Sequence, residues 1–139
     1  MKSAALERQL GLLDEALNTL QQAIEKYPRF DKLHLIRGQI FDSRGETANA
    51  RNAYAHGCRS CPKSIPLWIL SARLEEKAGV TIKARSLLEK ARLYNPKNEE
   101  LWAESIKIEE RTGGAAQAKS LLARGKLAVS RFNWLLMIS

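Results

Sequence analysis

The chain has 139 residues, about one ordinary domain, and its 45% hydrophobic content supports a core without disulfides or metals, while its bias toward Ala, Leu, Lys, Arg and Glu favours helices over sheets. No apolar run nears the roughly 20 residues that span a bilayer, and residues 1–22 carry acids where a secretory leader has its apolar centre, so a soluble, non-secreted chain is expected. The net charge of +8 favours an acidic partner, nucleic acid or an acidic protein surface; a solvated basic exterior accounts for it equally well.

In chain order, residues 1–28 read as a partial unit, and residues 29–62, 63–96 and 97–125 as repeats of one 34-residue pattern. Gly11, Gly45, Gly79 and Gly113 keep that step, as do Ala16, Ala50, Ala84 and Ala118, and Pro28, Pro62 and Pro96. Large apolar residues hold the same register at Leu6, Ile40, Leu74 and Ile108 and at Leu20, Tyr54, Leu88 and Leu122, with small ones at Ala23, Gly57, Ala91 and Gly125. The prolines punctuate between units, because proline cannot continue the preceding helix. The glycines at 45, 79 and 113 offer the positive φ that closes a helix and mark a turn within each unit.

The spacing predicts a helix over 66–78, a turn, and a helix over 82–93. Leu67, Trp68 and Leu74, then Leu101, Trp102 and Ile108, form the buried stripe of the first helix. A two-helix unit cannot bury its stripe alone, so copies must stack. The expected fold is an all-α, right-handed α–α superhelix, with the first helix of each hairpin lining a concave face and all of 1–139 forming a single helical-repeat domain. Stepping back from Trp102, Trp68 and His34 lands at position 0, and Ser130 stands where a proline would fall. The tail 126–139 loses the register, with Trp134 two places early. The chain is therefore expected to be a section of a longer array, cut or altered at both ends; translation into an intron after Gly125 is one cause that fits.

Cys58 and Cys61 form a single C-x-x-C at the end of a helical pattern, and His34 and His56 do not supply a second pair at zinc spacing. Ordinary thiols are expected, with no metal and no cofactor. No G-x-S-x-G, HExxH, P-loop or GxGxxG occurs, so no enzyme and no small-molecule substrate are expected.

The alanine, bulky, small and proline places, with His34, Gly38, Phe41, Ala50, Tyr54, Gly57 and Pro62 in the second unit, resemble the tetratricopeptide repeat. Later units instead carry "LW", then Glu75 or Glu109 where an aromatic is usual, then Ala84-Arg85 or Ala118-Lys119. That variant resembles the half-a-TPR (HAT) repeat of RNA-processing complexes; Glu7 fits it and Phe41 does not. "MKSAALE", "CPKSIPLWILSARLEEKAG" and "NPKNEELWAESIKIE" look like HAT arrays of splicing scaffolds. The resemblance covers residues 1 to about 125 and implies a nuclear scaffold whose partners are proteins of the spliceosomal tri-snRNP.

On the first helices, the residues expected to face a partner groove are Leu35, Ile69 and Ala103, then Gln39, Arg73 and Lys107, then Asp42, Glu76 and Glu110. An apolar row beside a basic and an acidic row suits a segment with an apolar anchor and mixed charges, although solvated faces or contacts between units would look the same. The Lys/Asn carboxylate clamp of chaperone-binding tetratricopeptide domains is not expected, given Leu35, Gln39, Ile69 and Arg73 at its places. Glu75 with Arg85, and Glu109 with Lys119, recur ten apart and would pair across the hairpin or reach adjacent repeats. Trp68 and Trp102 read as interior wedges rather than as platforms for stacking nucleic-acid bases. The alternative function is auxiliary RNA-phosphate contact through a convex basic face made by Arg51, Lys83, Arg85, Lys90, Arg92, Lys119, Arg124 and Lys126.

Overall fold

The computed structural model describes the backbone of residues 2–138 and the side chains of Gln9 and residues 11–129. Among these residues every regular element is a helix: α1 (Lys2–Lys26), α2 (Asp31–Ser43), α3 (Thr47–Ser60), α4 (Ile65–Lys77), α5 (Thr81–Tyr94), α6 (Glu99–Arg111) and α7 (Ala115–Ile138). The all-α class is as expected, and the predicted helices 66–78 and 82–93 are α4 and α5 to within a residue at each end. The helices gather into two compact units, Met1–Cys61 and Pro62–Ser139. In the first, α2 and α3 form a hairpin and α1 packs on α2; in the second, hairpins α4/α5 and α6/α7 are joined chiefly by α5 against α6. No described helix is long and apolar enough to cross a membrane.

Each hairpin turn is built the same way. Gly45, Gly79 and Gly113 stand one residue past the C-cap with φ of 76°, 86° and 81°, a region glycine enters without steric cost. Their N–H groups donate to the carbonyls of Asp42, Glu76 and Glu110, and the following N–H groups reach back to Phe41, Glu75 and Glu109. This paired closure satisfies carbonyls that a helix end otherwise leaves without partners. The closing residue also opens the next helix: the carbonyls of Glu46, Val80 and Gly114 accept from Ala50, Ala84 and Ala118.

Gly11 departs from the pattern, because it lies within the unbroken α1 and has no positive φ. A glycine inside a helix costs about 1 kcal/mol relative to alanine. At the other end, Ser60 and Tyr94 end α3 and α5 just before Pro62 and Pro96, whereas α7 runs through Ser130 to Ile138. The side chains of Leu6, Glu7 and Trp134, which entered the sequence reading, lie outside the described residues.

The core follows the period. Ala50, Ala84 and Ala118 are buried with Leu67, Leu101, Leu74 and Ile108, and Tyr54 and Leu88 fill the seam between their helices. Leu122, expected to match them, is 46% exposed; it lines an open cavity of about 460 Å³ with Trp102, Ala103 and Ile106. In the first unit the Tyr54 ring lies directly over Gly38, so that a Cβ at 38 would overlap it. The equivalent pair in the next hairpin is Ala72 and Leu88, both buried, which exchanges ring volume for a methyl. Burial, and then the nearby Asp42 charge, push the Tyr54 phenol up to about 12, so it stays neutral in the core.

Two histidines sit together in the first unit. His34 is fully buried and its ring meets His56 edge-on at 4.9 Å. The Pro28 carbonyl lies 2.8 Å from His34 Nε2 and can only accept, so Nε2 carries the proton and Nδ1 is left buried without a partner. Burial first, then His34, Arg59 and Arg37, hold the His56 imidazole below its usual range.

Two outcomes are expected. Gly38→Ala should destabilise the first unit by about 1–3 kcal/mol in denaturant melts through overpacking, and adding Tyr54→Leu should recover most of the loss by recreating the Ala72–Leu88 pairing; a double variant no more stable than Gly38→Ala would contradict this. Because the folded His56 pKa lies below the unfolded value of ~6.5, the unfolded chain binds the proton first. Stability should therefore be full above that pH and decline as pH falls through it, with His56→Gln flattening the decline in thermal melts.

Candidate functional site

The first helix of each hairpin is set by one bond. Trp68 Nε1 donates to the Pro62 carbonyl at 2.8 Å, Trp102 Nε1 to the Pro96 carbonyl at 3.0 Å, and His34 Nε2 makes the same contact with Pro28. Each donor lies six residues beyond its proline. Trp68 is buried and stacks on Tyr94, with centroids 6.0 Å apart, and Trp102 is half-buried. Trp68 is an interior wedge, whereas Trp102, expected in the buried stripe, borders an open cavity. Asn98 caps α6 by accepting from the Leu101 N–H, and Glu99 and Glu100 in its first turn oppose the positive end of the helix dipole.

The residues predicted to face a groove separate by unit. In the first, Leu35 is half-buried, Gln39 exposed and Asp42 half-buried. In the second, Ile69 is only 5% exposed, so it belongs to the core and is not an open apolar anchor. Arg73 donates to Glu104 at 2.6 Å, and Glu76 is gripped by Arg111 through two contacts of 2.8 and 3.0 Å. These pairs tie α4 to α6, so two of the charges expected to await a partner hold neighbouring hairpins together. Ala103, Lys107 and Glu110 are exposed; Ala103 borders the cavity beside Trp102.

The predicted basic row is interrupted in a similar way. Arg85 lies 2.6 Å from Glu109 and also donates to Thr112, so it reaches the adjacent repeat. Lys83 approaches Glu75 at 4.0 Å within its own hairpin, and Arg51 is half-buried. Lys90, Lys119 and Lys126 are exposed. Arg92 and Arg124 lie over the Trp102 ring, at 4.6 and 5.9 Å from its centroid, an arrangement the repeat pattern did not suggest. Its signal was the coincidence of two arginines one helix away on either side of a tryptophan.

Cys58 and Cys61 are not joined in a disulfide. Cys58 is buried, and Cys61 caps α3 with Sγ 4.0 Å from the Pro28 carbonyl. Burial and then Asp31 raise the Cys61 pKa against the opposing pull of Arg29, which disfavours the nucleophilic thiolate. Among the described residues no three His, Cys, Asp or Glu side chains converge to hold a metal.

The solved structure described as MamA MSR-1 C2 superposes with a TM-score of 0.59, covering 88% of this chain and 71% of that one at 14% identity. The fold is a tetratricopeptide-type helical repeat. A stretch of 49 residues, 35% of the chain, is 48% identical to the pre-mRNA-splicing factor prp1 of Schizosaccharomyces pombe. It spans 5% of that protein's length. No family model matches the chain.

The tie between α4 and α6 has a measurable consequence. The Glu104 side chain is 7% exposed while that of Arg73 is 57% exposed, so solvent screens the cation more than the carboxylate. Arg73→Ala should cost roughly 1–3 kcal/mol, mostly from the buried carboxylate left unpaired. Arg73→Ala with Glu104→Ala should be more stable than the sum of the single losses implies, and strict additivity in chemical unfolding would exclude a coupled pair.

Proposed function

We propose that this chain is a non-catalytic protein–protein interaction scaffold of pre-mRNA splicing, acting in the nucleus like the HAT array of pre-mRNA-processing factor six, which bridges parts of the spliceosomal tri-snRNP. The observation that carries the reading is the 48% identity over 49 residues to a splicing factor, a stretch longer than one 34-residue unit. A fold whose helices recur as hairpins supports the interaction role, since such stacks present extended faces for other proteins.

The groove in this reading is narrower than the sequence suggested. Lys107 and Glu110 are exposed on α6, and Gln39 is exposed on α2; these are the first-helix positions through which partner capture is proposed. Arg73 contributes by holding Glu104.

The test is a pull-down from nuclear extract with the 139-residue chain, with and without ribonuclease. Recovery of tri-snRNP proteins that survives ribonuclease is expected. Recovery only when RNA is intact would favour the basic-face reading instead. Lys107→Glu should weaken capture several-fold with unchanged circular dichroism, because it reverses an exposed charge without disturbing the α4–α6 ties; unaltered capture would remove Lys107 from the interface.

A further inference from the structure

We infer that the second unit carries an anion pocket between α5, α6 and α7 that accepts a single carboxylate, the side chain of a glutamate or aspartate on a partner protein. The cavity measures about 330 Å³. Arg92 enters it from α5 and Arg124 from α7, and both guanidiniums gather over Trp102 of α6. Neither has a carboxylate within ion-pair distance among the described residues, and Arg92 Nη1 is buried with no hydrogen-bond partner.

Two guanidiniums held together with no carboxylate in ion-pair contact are an uncommon outcome in a folded chain. Burial and the adjacent Arg124 both disfavour the Arg92 charge, and Glu89 offsets this only in part. A ligand bearing negative charge would fill the empty donor and offset both the mutual repulsion and the cost of desolvation. Gln117 and Ser120 on α7 line the same space and can add donors, while Leu88 and Leu121 supply apolar wall for the methylenes of an acidic side chain.

The charge of the pocket selects among anions. Arg85, Arg92 and Arg124 face Glu89 and Glu109 in the lining, which leaves one positive charge unbalanced, since Arg85 is already held by Glu109. One excess charge suits a monoanionic carboxylate better than a phosphate dianion. An RNA strand presents a phosphate at each nucleotide and needs a continuous basic track, whereas the track here is interrupted at Lys83 and Arg85. The pocket is separate from the exposed groove positions on α2 and α6, so its test does not depend on the splicing reading.

The experiment titrates the 139-residue chain with sodium acetate, sodium chloride and inorganic phosphate at matched ionic strength and follows thermal unfolding. It is joined by fluorescence-polarisation binding of a labelled peptide with a central glutamate, its glutamine counterpart, and a uridine oligonucleotide. Acetate should raise the melting temperature more than chloride, and the glutamate peptide should bind at least fivefold more tightly than the glutamine one. Arg124→Gln, at an exposed position, should keep the helix content by circular dichroism and abolish both preferences; Arg92→Lys should weaken them while retaining the charge. Equal effects of acetate and chloride, stronger stabilisation by phosphate, displacement of the peptide by the oligonucleotide, or an unchanged preference in Arg124→Gln would each overturn the carboxylate assignment.

Discussion

The carbonyl of the proline between hairpins is the point on which the architecture turns. Proline ends a helix because it has no N–H to donate and its ring obstructs the preceding turn. Its own carbonyl then lies beyond the helical ladder and must find a donor. In this chain the donor is an aromatic N–H six residues on, from His34, Trp68 or Trp102. A second donor arrives from the far end of the same hairpin, as Asn95 Nδ2 reaches the Pro62 carbonyl at 3.0 Å and Cys61 Sγ approaches that of Pro28. One acceptor thus fixes where the first helix of a hairpin starts and where its second helix stops. The position equivalent to Cys61 and Asn95 is Val129, which offers no side-chain donor, and Ser130 takes the place of a proline. With both stop signals missing, α7 continues.

Charge performs a second, weaker kind of alignment. The ion pairs between hairpins of the second unit join residues 24, 31 and 35 apart: Arg85 with Glu109, Arg73 with Glu104, and Arg111 with Glu76. Each acid is more enclosed than its basic partner, so the flexible, solvated arginine travels to a carboxylate already placed by the helix. Pairs of this type contribute little when fully exposed, about 0–1 kcal/mol; here the cost of leaving the acid without a partner matters more than the attraction itself. Their collective effect is register, because a hairpin that slipped by one turn would lose all three.

The backbone was legible in the sequence because its signals are local. A glycine 34 residues from two others, each after an apolar-periodic run, fixes a turn whatever surrounds it, and Gly45, Gly79 and Gly113 all adopt the required φ. Gly11 shows the limit of that logic: the residue permits a turn, but packing of both arms must favour it. The contacts of long side chains were less legible. Glu109 pairs with Arg85 of the preceding hairpin although Lys119 is nearer in sequence, since stacked helices bring together residues that a reading along one hairpin keeps apart. Ile69 follows the same lesson. Its place beside the stripe suggested an open groove, yet it is buried.

Departures from the period are then the informative positions. Residues 34, 68 and 102 are the ring donors, and the place 22 residues on holds His56, Lys90 and Arg124. In the first hairpin this place provides an edge-on imidazole 4.9 Å from His34, a contact between rings that needs no charge. In the last hairpin it provides a guanidinium over Trp102, and Arg92 brings a second one to the same ring. Arginine above an indole is a favourable pairing, but one guanidinium would supply it. The second is not required by the turn, the proline clasp or the ties between hairpins, and it raises the electrostatic cost of the first. At the first hairpin the corresponding places hold Ile24 and His56, neither a guanidinium; at the last, both are arginines where the helices leave a cavity open between them.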